Sequence, residues 1–209
     1  MGLKNIEALE SFCFELSSDA PSPGGGTASA AAGAMAASLL MMVCGITAKS
    51  KRHKHNRERL EALRAQLSTR RDELIDLSRE DARAYDLVVD AMRKNRESEN
   101  KENIRAVQDA LKLAAEIPMK TAAKCAEVLE DSVGVAELGT RSASSDVGVA
   151  VLLAEAGFKG ASMNVHINLK DVRDSEFVES AREKLTSYDR RVKDLTTDAL
   201  GRLGLLGQE

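Results

Sequence analysis

The chain has 209 residues, enough for one large domain or two small ones, and a formal net charge of -3, with 30 Lys and Arg against 33 Asp and Glu. This near balance excludes a strongly basic nucleic-acid-binding protein and an acidic-tail protein. Hydrophobic residues make up 43% of the chain, aromatic residues only 3%, and Gly (14) and Pro (3) are few. Such a composition disfavours a fold of many short strands and an RNA-stacking surface. It predicts an α-rich protein with small side chains in its core.

The cysteines and the N-terminal region predict a compartment. Three widely spaced cysteines, Cys13, Cys44 and Cys125, favour free thiols over a disulfide framework or a zinc site. Acidic residues among the first 19 positions are unlike a signal peptide. Residues 20–48 carry no charge, but Pro and Gly open the segment and Ala dominates it, which predicts a helix buried on all sides in a soluble protein. We therefore expect a cytoplasmic protein without a membrane partner.

Helical spacing dominates the chain. Apolar residues recur at intervals of three and four, which predicts helices over residues 3–19, 28–48, 52–96, 100–131 and 175–203. Thr27 is expected to cap the second helix and Pro118 to kink or restart the fourth. Another helix follows Ser142–Ser145 and ends near Gly157. Residues 158–171 alternate like a strand but have no partner strand, so a helix is predicted there too. The predicted fold is all-α: a single-domain bundle of long antiparallel helices over residues 1–209.

Asp81 interrupts a row of apolar residues at intervals of seven, formed by Leu60, Leu67, Leu74 and Val88. An ionised carboxylate on a buried helix face is costly unless it is paired or used. One interpretation is that the row turns toward solvent or pairs Asp81 with an arginine. The other is a general base, or an anion that faces a cationic substrate. The residues alone leave both open.

A glycine-rich loop, Pro23-Gly24-Gly25-Gly26-Thr27, precedes the second helix. Glycines permit close backbone approach, and helix N-termini present free N–H groups to anions. The loop is not a P-loop, because no Gly-Lys-Ser/Thr follows. A tight interhelical turn is the alternative, although three consecutive glycines exceed what a turn needs.

Polar residues near the C-terminal third have two interpretations. Ser145-Asp146 suits a helix cap, or Asp146 faces the glycine loop. Asn164, Asn168 and Lys170 offer amide and ammonium groups to structural or ligand partners.

A basic run occupies residues 49–59, with six Lys or Arg against Glu58. Such a run is a solvated face or a local site for a small polyanion. No second basic stripe accompanies it, so nucleic acid is not expected as a partner.

Five blocks, in order and over nearly the whole chain, resemble the cyclodeaminase/cyclohydrolase family of one-carbon folate metabolism: Pro23–Ala28, Asp81–Tyr85, Ile117–Lys120, Ser145–Ala150 and Asn164–Asp171. One departure is visible after Thr47, where the family tends to show a Gly-Lys-Lys run followed by an aromatic residue. This chain has Ala48-Lys49-Ser50-Lys51-Arg52-His53, which keeps the charge without the aromatic ring.

The resemblance implies an all-helical, dimeric protein that acts on tetrahydrofolates substituted or bridged at N5 and N10. The family's proposed acid/base aspartate falls on Asp81, and Asp146 is the second candidate. The resemblance further implies substrate contacts at Pro23, Gly24, Gly25, Gly26, Tyr85, Lys120, Asn164, Asn168 and Lys170. The glutamate tail of the folate would bind Lys49, Lys51 and Arg52.

The expected activity is the hydrolysis of 5,10-methenyltetrahydrofolate to 10-formyltetrahydrofolate, without a metal or redox cofactor. Formiminotetrahydrofolate cyclodeaminase is the alternative, but it usually follows a formiminotransferase domain, for which this chain has no room. A non-catalytic helical interaction protein is the third hypothesis. It predicts that Asp81 is solvent-exposed and distant from the glycine loop.

Overall fold

The computed structural model of the protein describes residues 6–204, which form six α-helices: α1 Ile6–Leu16, α2 Gly25–Lys49, α3 Arg57–Glu97, α4 Lys101–Leu138, α5 Ser144–Asn168 and α6 Ser175–Arg202. Short 3-10 segments precede α3, precede α5 and follow α5, at Lys51–Asn56, Arg141–Ala143 and Leu169–Asp171. Residues 6–204 contain no strand. The all-α prediction is therefore confirmed.

Helices α2, α3, α4 and α5 pack around one core. The α2–α5 pair is antiparallel: Gly25 lies beside Asn164 at one end, and the Thr140 backbone N–H donates to the Thr47 hydroxyl at the other. Helix α6 packs on α4 and runs parallel to it, because Lys112 pairs with Asp174 and Glu137 with Arg202. Antiparallel neighbours bring distant parts of the sequence together at each end of the bundle.

Small side chains let α2, α4 and α5 approach closely. A Cβ on Gly157 would lie 2.8 Å from the Ser29 carbonyl oxygen and 2.9 Å from Cys125 Sγ, and a Cβ on Gly33 would lie 2.7 Å from the same sulfur. Phe158 is the only aromatic residue among the largest fully buried side chains of the described part. Any side chain at Gly157 would push two helix backbones apart.

Several boundaries differ from the sequence-based expectations: α3 begins at Arg57 rather than at residue 52, and α4 ends at Leu138 rather than at residue 131. Helix α2 begins at Gly25, with Gly24 as its N-cap, and Thr27 lies inside its first turn. Helix α4 continues through Pro118 and α5 through Gly157. Pro118 has no backbone N–H, so α4 lacks one helical hydrogen bond there. The buried neighbours Ile117 and Thr121 pack in the core and stabilise the helix at this point. The predicted helix over residues 158–171 is confirmed as far as Asn168.

The expectation that α2 is buried on all sides is wrong. Met35, Met42 and Ile46 are 41–50% exposed along one face of α2. This helix is long and apolar enough to cross a membrane by length and composition, and half of its apolar window is buried inside the protein. Helix α1, predicted over residues 3–19, contains no buried residue between Ile6 and Leu16, and residues 3–5 lie outside the described part.

Candidate active site

Asp81 lies where the apolar row of α3 leaves the core. Leu60, Leu67 and Leu74 are fully buried, and Asp81, one heptad further, is half-buried opposite the first turn of α2. The Thr27 hydroxyl donates a hydrogen bond to Asp81 Oδ2 at 3.0 Å. The row of residues at intervals of seven on α3 thus begins in the core and reaches a polar site at Asp81.

The surroundings of Asp81 change the pKa of its carboxyl group. Burial raises the pKa of the Asp81 carboxyl above its ordinary value, while hydrogen bonds from the Thr27 side chain and backbone oppose that rise. A carboxylate that is partly desolvated and held by one neighbour has the properties of a general base or of an anion poised against a cation.

Gly26 explains why the loop is glycine-rich at this point. A Cβ on Gly26 would lie 2.6 Å from Asp81 Cγ, which no real side chain tolerates. At Gly24 and Gly25 the nearest atoms would be 3.5 Å away, an ordinary contact. The absence of a side chain at Gly26 is therefore what lets the Asp81 carboxylate rest against the backbone of α2.

A cavity of about 360 Å³ opens beside this contact, where α2, α3, α4 and α5 meet. Its charged lining residues are Asp81 and Asp171, and no Lys, Arg or His lines it. Tyr85 supplies the one aromatic ring, and the apolar wall consists of Ala84, Val88, Val89, Met92, Leu111, Ala114 and Ile167. The remaining lining residues are Pro21, Ser22, Gly24, Gly25, Gly26, Asn164 and Asn168.

Two carboxamides border the cavity from the end of α5. Asn164 Nδ2 donates to the Gly160 carbonyl at 2.8 Å, and Asn168 Nδ2 donates to the Ala114 carbonyl at 2.5 Å. Each amide retains a carbonyl oxygen and a second N–H for another partner. The side chains are therefore fixed by protein contacts and still offer polar groups to a ligand.

Five groups from the sequence analysis thus meet in one place: the glycines Gly24–Gly26, Asp81, Tyr85, Asn164 and Asn168. Pro23 is half-buried in the loop between two lining residues but does not itself line the cavity. Lys170 is exposed in the turn after α5, next to Asp171.

Asp146 and Lys120 lie elsewhere in the chain. Asp146 is in the first turn of α5, about 33 Å along that helix from Asn168. Lys120 is exposed on α4 and lines a separate cavity of about 460 Å³ between α4 and α6. Neither side chain reaches the Asp81 cavity within one chain.

The basic residues also lie at the far end. Lys49, Lys51 and Arg52 are exposed at the C-terminal end of α2, about 36 Å along the helix from Gly25. Arg52 lines an open cleft of about 1260 Å³ together with His53, Arg141 and Arg202. The cavity and the basic run therefore lie at opposite ends of the helix bundle.

The sequence did not identify the hydrogen-bond partner of Asp81 or most of the residues that line the rest of the cavity. The cap predicted at Thr27 does not form, and the Thr27 hydroxyl instead donates a hydrogen bond to Asp81. Val88 follows Asp81 in the heptad row, so that spacing was a signal for the apolar wall. No sequence signal pointed to Leu111, Ala114 or Asp171, which come from other elements.

The arrangement is suited to acid/base chemistry on a small cationic group. An acidic lining without a nearby cation favours positive charge in the cavity, and the aliphatic wall suits a flat ring system. Within residues 6–204, no three His, Cys, Asp or Glu side chains cluster in a way that could hold a metal ion.

Comparison with known proteins identifies sequence relatives of this chain. A family profile described as formiminotransferase-cyclodeaminase matches residues 8–187. A methenyltetrahydrofolate cyclohydrolase of Methylorubrum extorquens is 36% identical over 181 residues, which is 86% of this chain and 87% of that protein. A formimidoyltransferase-cyclodeaminase of Rattus norvegicus is 31% identical over 198 residues, 94% of this chain but 37% of that protein.

A solved structure agrees with the sequence relatives. The crystal structure of a formiminotetrahydrofolate cyclodeaminase from Thermotoga maritima superimposes with a TM-score of 0.86 at 28% identity, and the match covers 94% of this chain and 95% of the other. With a family match over most of its length and this likeness in fold, the chain belongs to the formiminotransferase-cyclodeaminase family.

Proposed function

We propose that this protein is a methenyltetrahydrofolate cyclohydrolase, which converts 5,10-methenyltetrahydrofolate and water into 10-formyltetrahydrofolate and a proton. The contact between the Asp81 carboxylate, Thr27 and Gly26 carries this proposal, because it holds a partly desolvated anion at the edge of a cavity. The 36% identical relative of similar length bears this activity in its name.

The chemistry follows from the charge of the substrate. The bridging carbon between N5 and N10 belongs to a positively charged amidinium. Asp81 stabilises this cation electrostatically and accepts the proton of the water that adds to the carbon. The hydroxyl group of the adduct then releases its proton to solvent as the formyl C=O forms, the C–N5 bond breaks, and Asp81 returns the first proton to N5. Tyr85 and the aliphatic wall offer an apolar surface to the pterin ring, and Asn164 and Asn168 offer polar groups to it.

Formiminotetrahydrofolate cyclodeaminase is the alternative activity. The structural neighbour with the TM-score of 0.86 carries that name, which favours this alternative specifically. Its substrate bears an amidine at N5, and closure of the same bridge releases ammonia. An anionic cavity suits both substrates, so a direct assay must separate them.

The contact geometry argues against a non-catalytic interaction protein. That hypothesis predicts an exposed Asp81 distant from the glycine loop, whereas Asp81 is half-buried against Gly26.

Several further properties stay predictions. They are a single domain over residues 1–209, a homodimer, a cytoplasmic location, the absence of nucleic-acid and membrane partners, and the absence of a metal or redox cofactor. Contacts of Pro23, Lys120 and Lys170 with substrate, a catalytic role for Asp146, and binding of a polyglutamate tail by Lys49, Lys51 and Arg52 are predictions as well.

The decisive assay compares the two substrates with purified protein. Loss of the near-ultraviolet absorbance of methenyltetrahydrofolate reports the cyclohydrolase, and ammonia release from formiminotetrahydrofolate reports the cyclodeaminase. Asp81→Asn removes the base, so we expect kcat to fall by about 10²–10⁴-fold.

Asp86→Asn is the matched control, because Asp86 is an exposed carboxylate on the same helix that does not line the cavity. Full activity of Asp81→Asn would remove Asp81 from the mechanism. Turnover of neither substrate by the unmodified protein would reject both enzyme functions.

A further inference from the structure

The cavity contains a second carboxylate, which the proposed reaction does not use. Asp171 is exposed in the 3-10 turn that follows α5, and it lines the cavity together with Asp81. Among residues 6–204, no group pairs with the Asp171 carboxylate, whereas Asp174 pairs with Lys112 and caps α6. Asp171 is therefore free to accept hydrogen bonds from a ligand in the cavity.

The turn that carries Asp171 is fixed to α4. The Gln108 carboxamide on α4 donates to the Asp171 carbonyl oxygen at 3.1 Å and accepts from the Arg173 backbone N–H at 2.8 Å. Val172, between these two positions, is buried. A side chain on a backbone fixed in this way binds a ligand with little further loss of conformational freedom.

The two carboxylates are separated by about the length of a pterin ring. Asp81 lies against Gly26 in the first turn of α2. Asn164 of α5 lies against the preceding residue Gly25, so it is level with Asp81. Asp171 follows Asn164 by four residues of α5 and three of the 3-10 turn, which places it about 12 Å further along the axis of α5.

The proposed substrate matches this separation. In methenyltetrahydrofolate, the bridging carbon lies about 6 Å from the far edge of the pyrimidine ring. With a hydrogen-bond contact at each end, this part of the ligand spans about 10–12 Å. A pterin ring in the cavity therefore reaches Asp171 with its pyrimidine edge while its bridging carbon lies at Asp81.

The pyrimidine edge suits a carboxylate. It carries two donors side by side, the N3–H and the 2-amino group. A carboxylate presents two acceptor oxygens at a matching separation, as it does to the paired N–H groups of a guanidinium. No Lys, Arg or His lines the cavity, so no cation there competes for Asp171.

We propose that Asp171 recognises the pyrimidine edge of the pterin ring: its two carboxylate oxygens accept the N3–H and the 2-amino group, which places the bridging carbon at Asp81. Asp171 is a specificity-determining residue, and Gln108 is a positioning residue that acts through it. The inference rests on the proposed function, because it assumes a tetrahydrofolate in the cavity, and it applies to the cyclohydrolase and to the cyclodeaminase.

Steady-state kinetics with methenyltetrahydrofolate and formiminotetrahydrofolate are the first test. Asp171→Asn keeps the size of the side chain but replaces one acceptor oxygen by an amide that opposes a donor of the ring, so we expect KM to rise by about 10–100-fold. The value of kcat should change by less than about threefold, because Asp171 does not contact the reacting atoms.

Asp109→Asn is the matched control for these kinetics. Asp109 is an exposed carboxylate next to Gln108 on α4, and it does not line the cavity, so its KM should stay unchanged. An Asp171→Asn variant that turns over substrate with an unchanged KM would overturn the proposal.

A change in the ligand tests the contact itself. Tetrahydrofolate has no bridging carbon, so neither reaction consumes it, and anaerobic isothermal titration calorimetry measures its binding. The 2-desamino analogue should bind the unmodified protein about tenfold more weakly, whereas Asp171→Ala should bind the two ligands equally within about threefold. A tenfold preference that persists in Asp171→Ala would contradict the contact, and so would the absence of a preference in the unmodified protein.

Gln108 is tested through its dependence on Asp171. Gln108→Ala releases the turn, so we expect KM to rise by about three- to tenfold. Gln108→Ala combined with Asp171→Ala should have the KM of Asp171→Ala alone, because both changes remove the same contact. Multiplied effects in the double variant would show that Gln108 acts independently of Asp171. Circular dichroism checks that the variants keep their helical content.

Failure of this inference is distinguishable from failure of the proposed function. A protein that turns over one of the two folates, but whose KM does not respond to Asp171→Asn, keeps the function and loses the contact. A protein that turns over neither, but binds tetrahydrofolate with the tenfold preference, loses the function and keeps the contact. Binding of neither tetrahydrofolate nor its analogue would reject both.

Discussion

At the residue scale, the site depends on the contact between Asp81, Thr27 and Gly26. Asp81 was identifiable from sequence, because a carboxylate in a row of leucines is a local conflict that stands out against the heptad pattern. Its partner was not, because Thr27 at the start of a helix is equally consistent with an N-cap. Only the position of α3 beside α2 turns the Thr27 hydroxyl into a hydrogen-bond donor for Asp81.

Thr27→Val tests this hydrogen bond. The variant keeps the shape but removes a donor that lowers the pKa of Asp81, so the pKa rises further above its ordinary value. As a base, Asp81 must be deprotonated, and activity is lost as pH falls through its pKa. The acidic limb of the kcat/KM profile should therefore move to higher pH, with about a tenfold loss below it. Thr27→Ser should restore the profile, and an unmoved limb in Thr27→Val would contradict this role.

Gly26→Ala tests the close approach. The added Cβ would overlap the Asp81 carboxyl group, so we expect kcat to fall by about 100-fold through displacement of the base. Gly45→Ala is the control on the same helix, because its Cβ would lie at an ordinary 3.5 Å from Arg64. Steady-state kinetics on both variants provide the measurement. Equal activity of the two would show that Asp81 tolerates a side chain at position 26.

At the element scale, periodicity predicted most helices, because a buried face repeats every three or four residues whatever it packs against. At Pro118 a local rule predicts a kink or a restart, and the restart does not occur, because tertiary packing keeps α4 continuous. Periodicity failed for α2, whose even distribution of Ala, Ser and Gly conceals which side faces solvent. Only the tertiary structure identifies the exposed side of α2, because α3, α4 and α5 pack against its other sides.

A buried ion pair joins α3 to α4. Arg70 Nε donates to Asp131 Oδ2 at 2.5 Å, and the Asp131 side chain is only 7% exposed. Arg70→Met leaves that carboxylate buried and unpaired, so the free energy of unfolding should fall by about 3 kcal/mol. Arg93→Met breaks the exposed pair with Asp90 and should change it by less than about 1 kcal/mol. Urea denaturation followed by circular dichroism compares them, and equal losses would contradict this ranking.

At the scale of the whole molecule, two sets of functional candidates occupy opposite ends of the bundle. Helices α2 and α5 are antiparallel and each has 25 residues, so their termini separate Asn168 from Asp146 and Gly25 from Lys49. The two sets of candidates therefore do not meet within one chain.

The sequence by itself determined the all-α class, most helix spans, and the candidates Asp81, Gly24–Gly26, Asn164 and Asn168. These follow from periodicity and from local conflicts between residue type and pattern, which are readable one segment at a time. Only the tertiary structure decided that these residues share a cavity, that Thr27 holds Asp81, and that Asp146, Lys120 and the basic run do not reach it within one chain. Such relations depend on which helices are neighbours and in which direction they run, and packing across the whole core sets both.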